Sequence, residues 1–65
     1  LMLEFTIDAM CSAHAAGCVA QTVYSVDPRA VLQIDLESRE VRVATAQANE
    51  LFVHALGAAG LRPAE

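Results

Sequence analysis

Leu3, Phe5 and Ile7 alternate with Glu4, Thr6 and Asp8, the period-two pattern of a strand with one buried face, over residues 2 to 8. Val19, Thr22, Val23 and Val26 then recur at helical spacing. This predicts a helix over residues 13 to 26. Asp27-Pro28 stops it, because proline disfavours the α conformation in the residue before it. Leu32, Ile34 and Leu36 alternate with Gln33 and Asp35, Glu37-Ser38-Arg39 reverses the chain, and Val41 and Val43 alternate with Glu40 and Arg42. That pattern reads as a β-hairpin. Thr45 is placed to cap a second helix, in which Leu51, Phe52, Ala55, Leu56 and Ala59 form an apolar stripe. Gly60 ends it at an expected left-handed position, and Leu61 to Ala64 supply a short last strand.

The order β-α-β-β-α-β predicts an α+β, ferredoxin-like sandwich: an antiparallel four-stranded sheet with two helices on one face. No repeat, linker or low-complexity segment interrupts the 65 residues, so one core and one domain over 1–65 are expected. A fold of this size buries only about 60% of its unfolded surface, yet 55% hydrophobic residues are enough for a compact core.

Four lysines and arginines against eight acids give a net charge of −4, and no basic run exists on which to build a phosphate-binding surface. Nucleic acid is therefore not an expected partner. The stretch from Ala9 to Val26 has no charge, but Ser12, His14, Gly17, Gln21, Thr22 and Ser25 make it too polar for a membrane span. Two cysteines are too few for a secreted disulfide scaffold, so a reducing, cytoplasmic setting is the expectation.

Those two cysteines carry the chemistry. Cys11, His14 and Cys18 fall within one short segment, Met10-Cys11-Ser12-Ala13-His14-Ala15-Ala16-Gly17-Cys18, and bring together both thiols and one of the two imidazoles. Thiolate with imidazole is the donor set preferred by soft or borderline ions such as Cu(I) and Zn(II), whereas hard cations take oxygen. No glycine-rich phosphate cradle and no Ser-His-Asp set accompanies the cluster, so an enzyme is not expected.

The chain resembles the heavy-metal-associated domain family, which includes metallochaperones and the N-terminal metal-binding modules of metal-transporting P-type ATPases. The resemblance covers nearly the whole chain, through Phe5-Thr6-Ile7-Asp8-Ala9-Met10, Ser25-Val26-Asp27-Pro28, the hairpin, and Ala58-Ala59-Gly60-Leu61. It implies metal binding and transfer, with a P-type ATPase or another metal-receiving protein as partner. The family's loop usually reads Gly-Met-Thr/Ser-Cys-x-x-Cys. Aligned on Met10, its two cysteines fall at Ser12 and Ala15, Cys11 takes the threonine or serine position, and Ala9 replaces the glycine. Leu61 stands where an aromatic residue or lysine often flanks the loop. The resemblance also implies that Met10 packs into the core, and that His14 occupies a place where the family often carries a non-ligating histidine.

The usual two-thiolate site therefore has no ligand here, and spacing suggests a relocated one. His14 and Cys18 are i and i+4 on the predicted helix, with β-carbons about 6 Å apart, and Cys11 can fold in from the loop. Cys-x2-His-x3-Cys is thus a candidate three-ligand chelate for Cu(I), or an open Zn(II) site whose fourth ligand comes from water, a partner protein or a second copy in a metal-bridged homodimer. Two other readings stay open: a degenerate interaction module without metal, and a thiol redox switch through Cys11 and Cys18. Cys18 can also be a small packing residue, Cys11 an inert loop thiol, and His54 a solvent-exposed histidine. Leu1 ahead of Met2 suggests a free-standing protein beginning at Met2, an excised domain being the alternative.

Overall fold

The computed structural model describes residues 1–64. Strand β1 (Met2–Thr6) is followed by helix α1 (Ala13–Val26), strands β2 (Val31–Asp35) and β3 (Glu40–Ala44), and helix α2 (Asn49–Ala58). The sheet is antiparallel with order β1-β3-β2. Its register sets Phe5 and Ile34 on either side of Val41, and Leu3 and Leu32 on either side of Val43. Opposed residues share a face, so these six side chains line one side of the sheet. That side is covered by Val19 and Val23 of α1 and Phe52 and Leu56 of α2, all four fully buried. Both helices therefore lie on one face, and the Phe5 and Phe52 rings meet at a centroid separation of 6.5 Å.

The sheet has three strands among the described residues, not the expected four. Residues 61–64 reach β1 through the Ala64 N–H to Thr6 C=O bond at 2.7 Å, the one backbone pairing between them among the described residues. Pro63 lacks an N–H and removes a donor from this short segment. β1 also ends at Thr6 rather than Asp8, since Asp8 and Ala9 turn the chain; Ile7 still donates to the Arg39 carbonyl at 2.9 Å.

Helix α1 has the predicted bounds. Helix α2 begins later than a cap at Thr45 would require: Ala48 is the N-cap and supplies no side-chain bond. The Thr45 hydroxyl is engaged elsewhere, donating to Asp27 Oδ2 at 2.6 Å and accepting from the Gln47 N–H at 3.0 Å. Within α2 the stripe is narrower than expected, because Leu51 is 49% exposed while Phe52 and Leu56 carry the packing. The end of α2 follows the expectation closely. Gly60 has φ +78°, Gly60 N–H reaches the Gly57 carbonyl at 3.1 Å, and Leu61 N–H reaches the Leu56 carbonyl at 2.8 Å. These two bonds are the paired closure of a Schellman motif, and the accompanying apolar residues Leu56 and Leu61 are both buried.

Candidate metal site

The loop between β1 and α1 is fixed at both ends. Met10 N–H closes a turn onto the Ile7 carbonyl at 3.0 Å, and the Met10 side chain is completely buried, the role the resemblance implies for it. The Arg39 guanidinium donates to the Asp8 carbonyl at 3.3 Å, tying the loop to the hairpin turn, where Arg39 itself has φ +61°. On the far side Ser12 is extended, its Oγ accepts the Ala15 N–H at 3.2 Å, and its carbonyl accepts the Ala16 N–H at 3.0 Å. Ser12 is thus the N-cap of α1, an interaction worth about 1 kcal/mol. A residue that aligns with a metal-binding cysteine of the resembling family is engaged here in starting a helix.

Cys11 lies between these anchors with its thiol exposed, and its N–H bonds to the Ala9 carbonyl at 3.0 Å. His14 is exposed on the first turn of α1, and Cys18 is half-buried one turn later. Helical geometry brings these last two together, with Cys18 Sγ 4.0 Å from His14 Nε2. Both cysteines are free thiols. Among the described residues no three His, Cys, Asp or Glu side chains stand in one group able to hold an ion, so the structure brings together the pair His14–Cys18 and not the triplet with Cys11. His54 is exposed on α2.

The 4.0 Å separation can be tested against coordination geometry. With Zn–S near 2.3 Å and Zn–N near 2.0 Å, the two donors stand about 3.5 Å apart in a tetrahedral site and at most about 4.3 Å apart in a linear one. The observed spacing lies inside that window, and a side-chain adjustment of a few tenths of an ångström reaches the tetrahedral value. The separation is compatible with both donors reaching one ion. Surface grooves run along the hairpin, across the sheet and beside Leu1 and Thr45, away from Cys11, His14 and Cys18.

Sequence reasoning missed Ser12 as a cap and Arg39 as a brace. The first had a signal, a serine just ahead of a helical pattern. The second had none, since the Arg39–Asp8 contact joins residues far apart in the chain.

No protein-family model matches the sequence, and no curated protein matches it either. Solved structures do. A gold-binding protein superposes with a TM-score of 0.89 at 33% identity, over 92% of this chain and 92% of its own. The copper chaperone Atx1 from Synechocystis PCC6803, in a trimeric form, gives 0.90 at 26% identity, over 95% of this chain and 98% of its own. A cyanobacterial copper metallochaperone in solution gives 0.81 at 25% identity, over 98% and 100%. The fold is that of Atx1-type copper chaperones, a heavy-metal-associated-like fold. No helix among the described residues is long and apolar enough to cross a membrane.

Proposed function

We propose that this chain is a variant member of the heavy-metal-associated domain family that binds Cu(I) or Zn(II) and transfers it, or reports its presence, through a site moved into the first turns of α1. The observation that carries this reading is the 4.0 Å approach of the half-buried Cys18 Sγ, at the edge of the core, to Nε2 of the exposed His14. Cys11 is the third donor, swinging in from the exposed loop when an ion is bound. Its backbone is flanked by the Met10 turn and the Ser12 cap.

An exposed site suits a carrier. Ligand exchange with a receiving protein, such as a metal-transporting P-type ATPase, requires the acceptor's thiolates to approach the ion before the donor's let go. An exposed first turn allows that approach, and a closed four-ligand cage would obstruct it. The function is therefore carriage and not catalysis, in a reducing compartment such as the cytoplasm.

A second reading has one observation in its favour. Ser12 and Ala15 occupy the family's cysteine positions, and the Ser12 hydroxyl is engaged in the helix cap, as expected of a domain that has lost metal binding and works as an interaction module. Anaerobic titration of the reduced protein with Cu(I) and Zn(II), repeated for Cys11→Ser, His14→Ala and Cys18→Ser, decides between them. The metal reading expects affinity to fall at least tenfold in Cys18→Ser and His14→Ala and to fall in Cys11→Ser for Cu(I). Equal affinity in all three variants leaves the interaction module standing.

A further inference from the structure

We infer that the free edge of β2 takes on an extended segment of a partner protein as a further strand, one whose residues alternate between apolar and basic. This goes beyond metal binding and does not depend on it. β2 lies at the end of the sheet order β1-β3-β2, so one of its edges has no strand beside it among the described residues. The central strand fixes which backbone groups that edge presents. Ile7 N–H to the Arg39 carbonyl and Thr45 N–H to the Leu1 carbonyl both fall in the β1–β3 register, so alternate residues of this strand, from 39 to 45, bond toward β1. Glu40, Arg42 and Ala44 therefore bond toward β2, where their partners are Asp35, Gln33 and Val31. The N–H and C=O groups of Leu32 and Ile34 are left pointing away from the sheet, and no backbone bond outside the ladder engages them among the described residues.

The two edges of the sheet differ. β1 is met by the Ala64 N–H, whereas no backbone group among the described residues meets the far side of β2. Edge strands are commonly blunted by lysine, proline, a bulge or an inward-pointing charge. Val31–Asp35 has none of these: its pairing with β3 is continuous, without a bulge, and its inward side chains are Leu32 and Ile34. Those two also leave the core open at this end. Val41 and Val43 beside them are fully buried, while Leu32 and Ile34 are only half-buried. Apolar residues of an added strand would complete both rows.

Charge selects the partner. A groove of about 570 Å³ runs along the hairpin, where Ile34 and Leu36 lie beside the carboxylates of Asp35, Glu37 and Glu40. Its cation, Arg42, is already paired with Glu4 at 3.5 Å. Lysine or arginine at the outward positions of an added strand would lie across from Gln33 and Asp35 and within reach of Glu37 and Glu40, while apolar residues at the inward positions would meet Leu32 and Ile34. A second copy is the poorer occupant, because each chain carries a net charge of −4 and residues 30–38 contain no lysine or arginine. The groove lies away from Cys11, His14 and Cys18, so a segment held there leaves them accessible.

The test titrates the isotope-labelled, metal-free protein with an end-capped peptide of alternating lysine and valine, and with one of alternating glutamate and valine as control, followed by NMR and amide hydrogen exchange. The lysine peptide is expected to give saturable shifts along β2 and to slow exchange at Leu32 and Ile34 but not at Gln33, whose N–H is already in the ladder. The glutamate peptide is expected not to bind. Asp35→Asn, Glu37→Gln and Glu40→Gln together should weaken binding about fivefold or more, and added salt should weaken it in the wild type. The amide at position 35 keeps an acceptor for the Glu37 and Ser38 N–H groups, so the turn survives the change. Absence of binding, shifts that map away from β2, equal binding of the two peptides, or unchanged exchange at Leu32 and Ile34 would each overturn the docking edge. Protection of those two amides in the protein alone, fading on dilution, would make a second copy the occupant and overturn the basic partner. Because the titration is run without metal, its outcome stands apart from whether His14 and Cys18 hold an ion.

Discussion

At the scale of single residues, two glycines show how position decides the sign of one substitution. Gly60 has φ +78°, a conformation that costs an L-residue about 1–2 kcal/mol, and it closes the Schellman turn that buries Leu61. Gly17 sits inside α1 with helical geometry and open space beside it, where alanine is favoured over glycine by about 1 kcal/mol. Gly60→Ala should therefore destabilise the metal-free protein, while Gly17→Ala should stabilise it. Urea denaturation of the two variants beside the wild type measures both, and like signs would refute the assignment. Gly60 was legible from the sequence because a glycine just past an apolar stripe has a known local meaning. Ser12 was less so. It aligns with a family cysteine whose sulfur it lacks, while its own contribution, an acceptor for the Ala15 N–H, is a local helix-start signal. The His14–Cys18 pair followed from i, i+4 spacing alone, but whether Cys11 joins it depends on loop geometry that spacing does not encode.

Elements were readable where local punctuation and periodicity agreed. Asp27-Pro28 ended α1 at Val26, and alternation in Val31–Asp35 and Glu40–Ala44 gave the hairpin its two faces. Two elements departed from expectation for a nonlocal reason or a missing donor. Thr45 has the chemistry of a helix cap, but Asp27, 18 residues earlier, captures its hydroxyl, and α2 begins at Asn49 behind an Ala48 that offers no side-chain acceptor. Among the described residues the last segment meets β1 through one backbone bond: Pro63 offers no N–H and the Leu61 N–H is taken by the Leu56 carbonyl. The uncapped start of α2 yields a prediction. Ala48 is already extended, at φ −72° and ψ 144°, so Ala48→Asp can place a carboxylate over the first-turn N–H groups without moving the backbone. The expected gain is about 1 kcal/mol. For a domain this small that corresponds to a melting temperature about 4–8 °C higher, read by calorimetry or circular dichroism. An unchanged or lower melting temperature would show that Glu50 nearby offsets the benefit.

The whole molecule separates the candidate site from a polar knot at the other end of α1. Asp27 Oδ2 accepts the Thr45 hydroxyl at 2.6 Å and its Oδ1 accepts the Arg29 N–H at 3.0 Å, while Thr45 N–H bonds to the Leu1 carbonyl at 2.9 Å. One carboxylate thus joins the end of α1, the approach to β2 and the exit of β3. The Thr45 hydroxyl first, and the Arg29 N–H second, stabilise the carboxylate and hold its pKa below the ordinary value of 3.8. A carboxylate with a lowered folded-state pKa lends stability that is fully present above the unfolded value and is lost as pH falls through the folded one. Unfolding midpoints in urea should therefore hold from pH 7 to about 4 and decline below that as Asp27 takes up a proton. Asp27→Asn should lower the midpoint at pH 7 and flatten the acid decline, since the amide keeps an acceptor but has no charge to lose. An undiminished decline in that variant would move the acid sensitivity to other carboxylates. The same variant separates stability from function: along α1, Cys18 stands roughly 14 Å and His14 roughly 20 Å from the knot at Asp27. Metal affinity measured in Asp27→Asn under conditions where it is still folded should match the wild type. A change in affinity would mean that the first turn of α1 is held in shape from its far end, and that the site is a property of the whole fold and not of one helical turn.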